Sequence, residues 1–451
     1  MIPDIGKLTV MISRFDVNQQ KKNKWKASRY KALDYYNGRI RSYIENYFST
    51  SILDKVVTGN INITKRIIDR ISLVYMVAPK RQYTNEDVTD YFMDKDMKMQ
   101  RLERVTNLLD GVLVKPCWRT KKDGTGSIEY DIITDYEPVF GVDPLKPEAI
   151  IYPVTMKATV LDTEPEQFSY WSDEHHFLFD RNGKVYTEDD NPEMINPYGV
   201  LPFVECYRDG KPEAHYLDTD ASTDLIQTNL AINVAETNKN ANVMFQSFGY
   251  MFVNGSGIDI DKMTIGQDKV NYLGIDGTIS IVAPPNSVPA LDESIKSTYK
   301  MLSQNYHLPT SFVEGTTAES GVALRLRSQE LQDDRKSDVV KWRDVEYKLF
   351  DLERLIVAVE DGKDAGDLED VDFDESTEIL SSQEQRDKWD WELSKGIIDL
   401  ADIMMQKNPD LTREEALEHL EVRKAIPVST GEAEELSANP LLEALTKPVV
   451  Q

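Results

Sequence analysis

A chain of 451 residues, 40% hydrophobic and 29% charged, has the composition of a folded protein, and at ~100–200 residues per domain it divides into two to four domains. Its net charge of −26 excludes a protein that grips nucleic acid tightly, which needs clustered Lys and Arg. The same charge fits a solvated surface, or one past which nucleic acid slides without sticking. The two cysteines, Cys117 and Cys206, belong to no CxxC or Cys/His cluster. They exclude a disulfide framework and a structural zinc site, and a reducing cytoplasm is the expected compartment. The first residues lack a basic start and a long apolar run, so no signal peptide is expected. No apolar stretch approaches the ~20 residues that span a bilayer.

In chain order, residues 24–49 (KWKASRYKALDYYNGRIRSYIENYFS) are basic, Tyr-rich and mostly helical in pattern, with a turn at Tyr35, Tyr36, Asn37 and Gly38. Interleaved cations and aromatics fit either a nucleic-acid patch or a helix packing its Tyr rings at an interface, and packing is the stronger reading. Residues 60–79 place Ile63, Ile67, Ile71 and Val74 at helical spacing, with Asn62 or Thr64 as N-cap and Pro79 closing the segment. A second helix is predicted over 87–113. The period then changes to strands at 128–133, 149–154, 168–171 and 176–179, with a hairpin turn at Asp180-Arg181-Asn182-Gly183. Residues 1–217 therefore read as a mixed α+β domain.

The chain carries no recognisable catalytic signature. His175 and His176 are adjacent, so in a strand they point to opposite faces. His215, His307 and His419 are isolated, and no metal site is expected. There is no Gly-rich phosphate loop, GxSxG elbow or HExxH. The many carboxylates include no pair marked out by its surroundings, so none is assigned to acid–base work.

Residues 218–246 predict a helix capped by Asp218, Asp220 or Ser222. It has a narrow stripe of Leu225, Ile232 and Ala235, and small polar residues on its other faces. A β insert follows at 247–286, with strands at 250–253, 270–273 and 278–282 and turns at Gly255-Ser256-Gly257 and Asp276-Gly277. Residues 291–306 predict a further helix with Ile295, Tyr299 and Leu302 on one face. The polar loop 307–321, punctuated by Pro309, Gly315 and Gly321, leads into one helix reaching roughly 50 Å. That helix carries a broken stripe of Val322, Leu326, Val340, Val345, Leu349, Leu352 and Ile356. The strongly acidic stretch 359–378 reads as a linker or exposed loop. Short helices are expected at 382–395, 396–407 and 412–424, the last entered through a capped turn at 408–415. A polar tail from Ile426, disordered at its end, is expected beyond them.

This order of parts resembles the portal proteins of tailed double-stranded DNA bacteriophages. The resemblance is carried by Tyr35-Tyr36-Asn37-Gly38, the helix 62–79, Asn196-Pro197-Tyr198-Gly199 with Leu201-Pro202, and the helix–β-insert–helix unit 218–306. Most telling is Leu308-Pro309-Thr310 followed by Glu319-Ser320-Gly321-Val322-Ala323-Leu324. Portal proteins of this type repeatedly show a Pro-containing loop, then Ser-Gly-x-Ala-Leu and a long charged helix. The match spans roughly residues 30–360; the region 362–451 carries no matching motif.

The resemblance implies an α+β, multi-domain fold. Its parts would be a mixed α/β wing (1–217), a helical stem (218–246 and 287–306), a small β-rich clip (247–286), a tunnel loop (307–321), a long wing helix (322–361) and a helical crown with C-terminal tail (362–451). It implies a homo-oligomeric ring, usually a dodecamer, at one vertex of the capsid. Through that ring the terminase motor packages genomic double-stranded DNA, and the DNA later leaves by it. The implied partners are the large terminase, a head–tail adaptor, the major capsid and scaffold proteins, and duplex DNA passing without sequence specificity. The implied location is the virion, after assembly in the bacterial host cytoplasm. No membrane, cofactor, metal or catalytic residue is implied.

In this resemblance the residues facing DNA are those of the tunnel loop: Thr310, Ser311, Phe312, Val313, Glu314, Gly315, Thr316, Thr317, Ala318, Glu319 and Ser320. They include no Lys or Arg. The clip would dock its partners through Gly255, Ser256, Gly257, Asp259, Asp261 and Lys262. Stem lysines Lys239, Lys296 and Lys300 would either guide phosphates or form intersubunit salt bridges, the latter favoured. A stem helix in a ring touches a neighbour on each side, which fits the small polar faces of 218–246. Two other classes stay open: another structural head or adaptor subunit, and a DNA-processing enzyme using acidic metal ligands.

Overall fold

The computed structural model describes residues 19–92, 94–122, 124–155, 167–180, 182–186, 191–248, 250–254, 276–282, 287–308, 321–373, 382–407 and 411–425. The chain is α+β and divides into two compact units, Met1–Thr377 and Glu378–Gln451.

The first unit starts with helix α1 (Gln19–Tyr36), followed by two short helices, α2 (Arg41–Glu45) and α3 (Thr50–Leu53). Helix α1 is basic, yet two of its cations turn to the protein. Arg29 is buried, donates to the Thr134 and Leu109 carbonyls at 2.9–3.2 Å, and lies 4.4 Å from the Trp25 ring centre. Lys26 pairs with Asp135 at 3.3 Å and Glu137 at 3.1 Å. Tyr35 is fully buried, and the Tyr36 and Tyr43 hydroxyls donate to Asp69 and Asp34. This is the Tyr-packing arrangement. Gly38 at φ 75° and backbone bonds from Asn37, Gly38 and Arg39 back into the last turn end α1.

Helix α4 (Ile63–Ile71) is capped by Asn62, which accepts from the Lys65 amide at 2.9 Å. It stops eight residues before Pro79, where a longer helix was predicted. Ser72 donates back to the Ile68 carbonyl, and the next free amides, Val74 and Tyr75, donate to the buried Glu103 carboxylate at 2.8 and 3.0 Å. A side chain from elsewhere in the fold thus satisfies the amides at which the helix breaks. Strand β1 (Lys80–Tyr83) follows. The helix predicted over 87–113 is instead a 3₁₀ turn at Glu86–Tyr91 and a helix α5 (Lys95–Leu109). Asp110 and Gly111, at φ 45° and 121°, turn the chain into strand β2 (Val112–Thr120), which the sequence reading missed.

Strands β2, β3 (Gly126–Ile133) and β9 (Val204–Cys206) form one antiparallel sheet in the order β3-β2-β9. Pro116 is tolerated in its central strand because β9 pairs only with Val112–Val114 and leaves Pro116 an edge on that side. Strands β4 (Glu137–Phe140), β5 (Pro147–Thr155), β6 (Gln167–Ser172), β7 (His176–Asp180) and β8 (Val185–Tyr186) form a five-stranded meander in sequence order. The β7–β8 turn is held by Asp180, which accepts from the amides of Asn182 and Lys184 at 2.9 Å.

Helix α6 (Thr223–Phe248), a hairpin of β10 (Tyr250–Asn254) and β11 (Thr278–Val282), and helix α7 (Val288–Asn305) then form an antiparallel unit. The strand predicted at 270–273 lies outside the described residues. Helix α8 (Gly321–Glu360) runs 40 residues, about 60 Å. Its buried side is Leu331, Trp342, Val345, Leu349, Phe350, Ile356 and Val357; the predicted stripe member Val340 is exposed. Residues 368–372, predicted as linker, form strand β12 (Leu368–Asp372) paired antiparallel with β1. Leu368, Val371 and Phe373 bury their side chains while Glu369, Asp370 and Asp372 face outward. The acidic residues therefore take the exposed positions of a strand. One large apolar core joins α1, α4, α5, β2, β3, α6, α8 and β12.

The second unit carries helices α9 (Ser382–Lys395), α10 (Leu400–Lys407) and α11 (Arg413–Ala425). Thr412 and Glu415 form a reciprocal capping box, and Arg413 bridges Asp399 and Asp402 at 2.6 and 2.8 Å.

Candidate functional site

The tunnel-loop residues 310–320 and the clip residues 255–262 lie outside the described residues. The elements that carry them are described, and they converge on one junction.

Helix α6 starts where Ser222, at φ 49°, gives its carbonyl to the Ile226 amide and its hydroxyl to the carbonyls of Asn107 and Leu108. Of the three candidate caps, Asp220 takes the capping role, accepting from the Thr223 amide and hydroxyl. Further along, Asn229, Asn233 and Thr237 are completely buried. Asn229 donates to Thr64 at 2.7 Å, Asn233 exchanges bonds with both backbone groups of Ile61 at 2.7 and 3.0 Å, and Thr237 accepts from the Gly59 amide at 2.9 Å. Gly59 permits this approach, since a Cβ there would stand 2.9 Å from the Asn233 carbonyl oxygen. The small polar face that the ring reading reserved for neighbouring subunits is thus occupied, on this side, by the chain's own residues 57–64.

Of the three stem lysines, Lys239 lies between Glu236 at 2.7 Å and Asp292 at 3.1 Å, tying α6 to α7 within one chain. The bond to Glu236 in particular holds its ammonium above the usual lysine range. This is an intrasubunit bridge, where the expectation was a phosphate ring or an intersubunit pair. Lys296 and Lys300 stand on the exposed side of α7.

At the far end of α7 the Tyr306 hydroxyl donates to Asp224 at 2.9 Å, and His307, at φ 50°, meets Asp334 of α8 at 2.5 Å. The bond to Asp334 raises the His307 pKa. These two contacts pin the end of α7 to the start of α6 and to α8, immediately before the tunnel-loop residues. A cleft of about 520 Å³ opens here, lined among others by Arg208, Asp209, Asp220, Asp224, Asp334, Asp338 and Lys341. Burial raises the Asp338 carboxyl despite Lys341 at 2.7 Å. The cations are engaged: Arg208 bonds Asp209 and Ser222, and Lys341 bonds Asp338. No group of three or more His, Cys, Asp or Glu among the described residues is arranged to hold a metal ion.

Helix α8 is anchored by a buried charge cluster that sequence reading missed. Glu346 and Glu353 are completely buried. Lys95 reaches Glu353 at 2.8 Å and Glu346 at 3.3 Å; Arg81 reaches Glu346 at 2.7 Å; Tyr75 and Tyr130 donate to Glu346 and Glu353 at 2.9 and 2.7 Å. Burial alone would raise Glu346, but Lys95 and Arg81 outweigh it and hold the carboxyl at about 2. The available signal was spacing. Glu346 and Glu353 are seven residues apart, two turns, on the same side as Leu349, Phe350 and Ile356.

The motif Asn196-Pro197-Tyr198-Gly199 proves to be a connector. Buried Asn196 donates to the carbonyls of Ser172 and Val200 at 2.7 Å, Gly199 sits at φ 64°, and the Tyr198 hydroxyl donates to Glu360 at the end of α8. The adjacent histidines diverge in role: His176 stacks on Trp171 with ring centres 3.7 Å apart, while His175 lies 3.8 Å from Glu174. Both cysteines are buried and burial raises both thiols, that of Cys117 to about 11. No protein-family model matches this chain, and no curated protein matches it.

Proposed function

We propose that this chain is the subunit of a phage portal: a ring at one capsid vertex, with no catalytic activity of its own, through which duplex DNA is packaged and later ejected. The observation that carries this reading is the order of parts. Two antiparallel helices, α6 and α7, bear a β hairpin between them, and α7 leads within sixteen residues into a 40-residue helix. Such a layout suits a stem with a docking clip, a loop turned toward a channel, and a strut across the ring's body. The bonds at Tyr306 and His307 support it by giving that loop a rigid root. The net charge of −26 supports passage of DNA without capture. In this reading terminase and adaptor dock on the clip.

Negative-stain microscopy and native mass spectrometry of the full chain test the reading. Rings with a central hole and cyclic stoichiometry are the expected result. A monodisperse monomer at high concentration, with no rings on grids, overturns it. Deleting residues 312–319 is expected to leave the ring intact and impair DNA packaging or retention; loss of assembly would make the loop a structural element instead. Mg²⁺-dependent cleavage of DNA by the pure protein would favour the enzyme class.

A further inference from the structure

Helices α4 and α5 present a cationic face on a strongly acidic chain. Lys65, Arg66 and Arg70 are exposed on α4, while Lys98, Arg101 and Arg104 recur every three residues on α5. Arg66 and Arg70 are one turn apart, as are successive cations of α5, so each row sets like charges side by side on a helix surface. The two rows meet around Tyr36. The Lys65 ammonium is 5.9 Å from its ring centre, its hydroxyl donates to Asp69 at 2.6 Å, and Arg104 lies 3.6 Å from that same carboxylate. Among the described residues, Lys65, Arg70, Lys98 and Arg101 have no carboxylate within ion-pairing distance.

A second surface has the opposite excess. Residues 360–372 carry seven carboxylates and one cation, Lys363. Asp361 pairs with Lys363 at 2.8 Å and Asp367 with Arg354 at 3.0 Å. Asp364, Glu369, Asp370 and Asp372 are exposed and have no cation within ion-pairing distance among the described residues. The last three lie on β12, where pairing with β1 sets Asp370 and Asp372 in register and Glu369 stands at the bulge beside them.

Each surface carries an excess of one sign, the second even with exposed Lys80 standing across β1 from Asp372, and each supplies what the other lacks. We propose that the α4–α5 face of one copy docks on the acidic β12 surface of the next, a head-to-tail contact between identical chains. A heterologous contact of this kind joins two different patches and closes into a ring when its rotation permits. The proposal rests on the ring reading and specifies which charges set register between subunits. A nucleic-acid duplex on the α4–α5 face would leave the β12 row uncompensated and would meet Asp69 at the centre of the face. A second copy accounts for both surfaces with one contact.

The test uses the full chain with Arg70→Glu/Arg101→Glu and, separately, Glu369→Lys/Asp370→Lys, all exposed positions outside the core. Native mass spectrometry and negative-stain images are expected to show each double variant losing the ring, with circular dichroism unchanged. Mixing the two variants is expected to restore rings containing both. Wild-type assembly is expected to weaken between about 0.1 M and about 1 M salt, as the screening length falls from ~10 to ~3 Å. Wild-type rings indifferent to the Arg70→Glu/Arg101→Glu change overturn this contact and leave the ring reading standing. Duplex DNA binding that this variant loses while its rings persist assigns the face to nucleic acid instead. A wild type that never assembles removes the ring reading first, and this contact with it.

Discussion

The two helices that organise the first unit, α8 and α6, both bury polar side chains, but of different kinds. Along α8 the buried groups are ions: Glu346 and Glu353 against Lys95 and Arg81, closed off by Tyr75 and Tyr130. Along α6 they are neutral: Asn229, Asn233 and Thr237 against the backbone of residues 59–61 and the Thr64 hydroxyl. A buried ion stripped of its partner has no solvent to turn to, so the α8 cluster is severe about register: α8, β1 and α5 must all be in place together. A buried amide that loses one bond leaves a smaller deficit. Helix α8 is therefore locked to the body of the unit, whereas α6 is held along one side by individually replaceable bonds.

The largest effect expected from this contrast is at Lys95. Lys95→Met leaves buried Glu353 with the Tyr130 hydroxyl but no cation, and Glu346 with Arg81 and the Tyr75 hydroxyl, and is expected to cost about 3–5 kcal/mol in urea unfolding at neutral pH. Replacing Lys95, Glu346 and Glu353 together by Met and Leu is expected to recover much of that loss. A single-variant cost near zero would mean that the cluster is solvated.

Next comes Glu103. Burial raises its carboxyl to about 7, even though the Val74 and Tyr75 amides favour the ionised form. Between the ordinary value of 4.5 and about 7 the folded chain holds a proton that the unfolded chain has released, so stability falls as pH rises through that window. The expected fall is of order 3 kcal/mol, and Glu103→Gln is expected to flatten that part of the pH profile. Glu346 works in the opposite sense. Held at about 2, it contributes stability above its ordinary 4.5 that disappears as pH drops toward 2.

Asn233→Ala is expected to cost about 1–3 kcal/mol by leaving the Ile61 amide unpaired and its carbonyl with the Ile63 amide alone. Hydrogen exchange is expected to quicken in 57–64 and α6 while α8 stays protected. Protection lost equally in both regions would erase the distinction between them. Lys239→Ala is expected to cost no more than about 1 kcal/mol, because solvent screens its two bridges. The readout is easier proteolysis in the β10–β11 hairpin region.

Much of the architecture was legible in local pattern. The turn at Asn37-Gly38, the Asn62 cap, four strands of the two larger sheets, the α6–hairpin–α7 order and the length of α8 all rest on neighbours within a few residues, where periodicity and capping chemistry act. Two of the misses come from interaction with distant parts of the chain and one from a local reversal of the backbone. The helix from Ile63 ends early because Glu103, some thirty residues on, accepts the next amides. Strand β2 hid behind a helical reading because Asp110 and Gly111 reverse the chain at positive φ. Strand β12 hid inside an acidic composition because its apolar residues meet β1 nearly three hundred residues away. At the candidate site, the polar face of α6 was visible but its partner was not. Lys239 was found, yet its bridge to Asp292 depends on how α6 and α7 lie together.

Sequence alone was enough for the α+β class, the helix–hairpin–helix–long-helix order and the overall acidity, since composition and short-range spacing suffice for those. Where buried charge finds its counter-charge, which face of α6 stays open, and which carboxylates and guanidinium groups become neighbouring rows are properties of distant segments brought together. A helix or strand can be specified by its own side chains. The cost of burying an ion depends on what the rest of the chain places beside it.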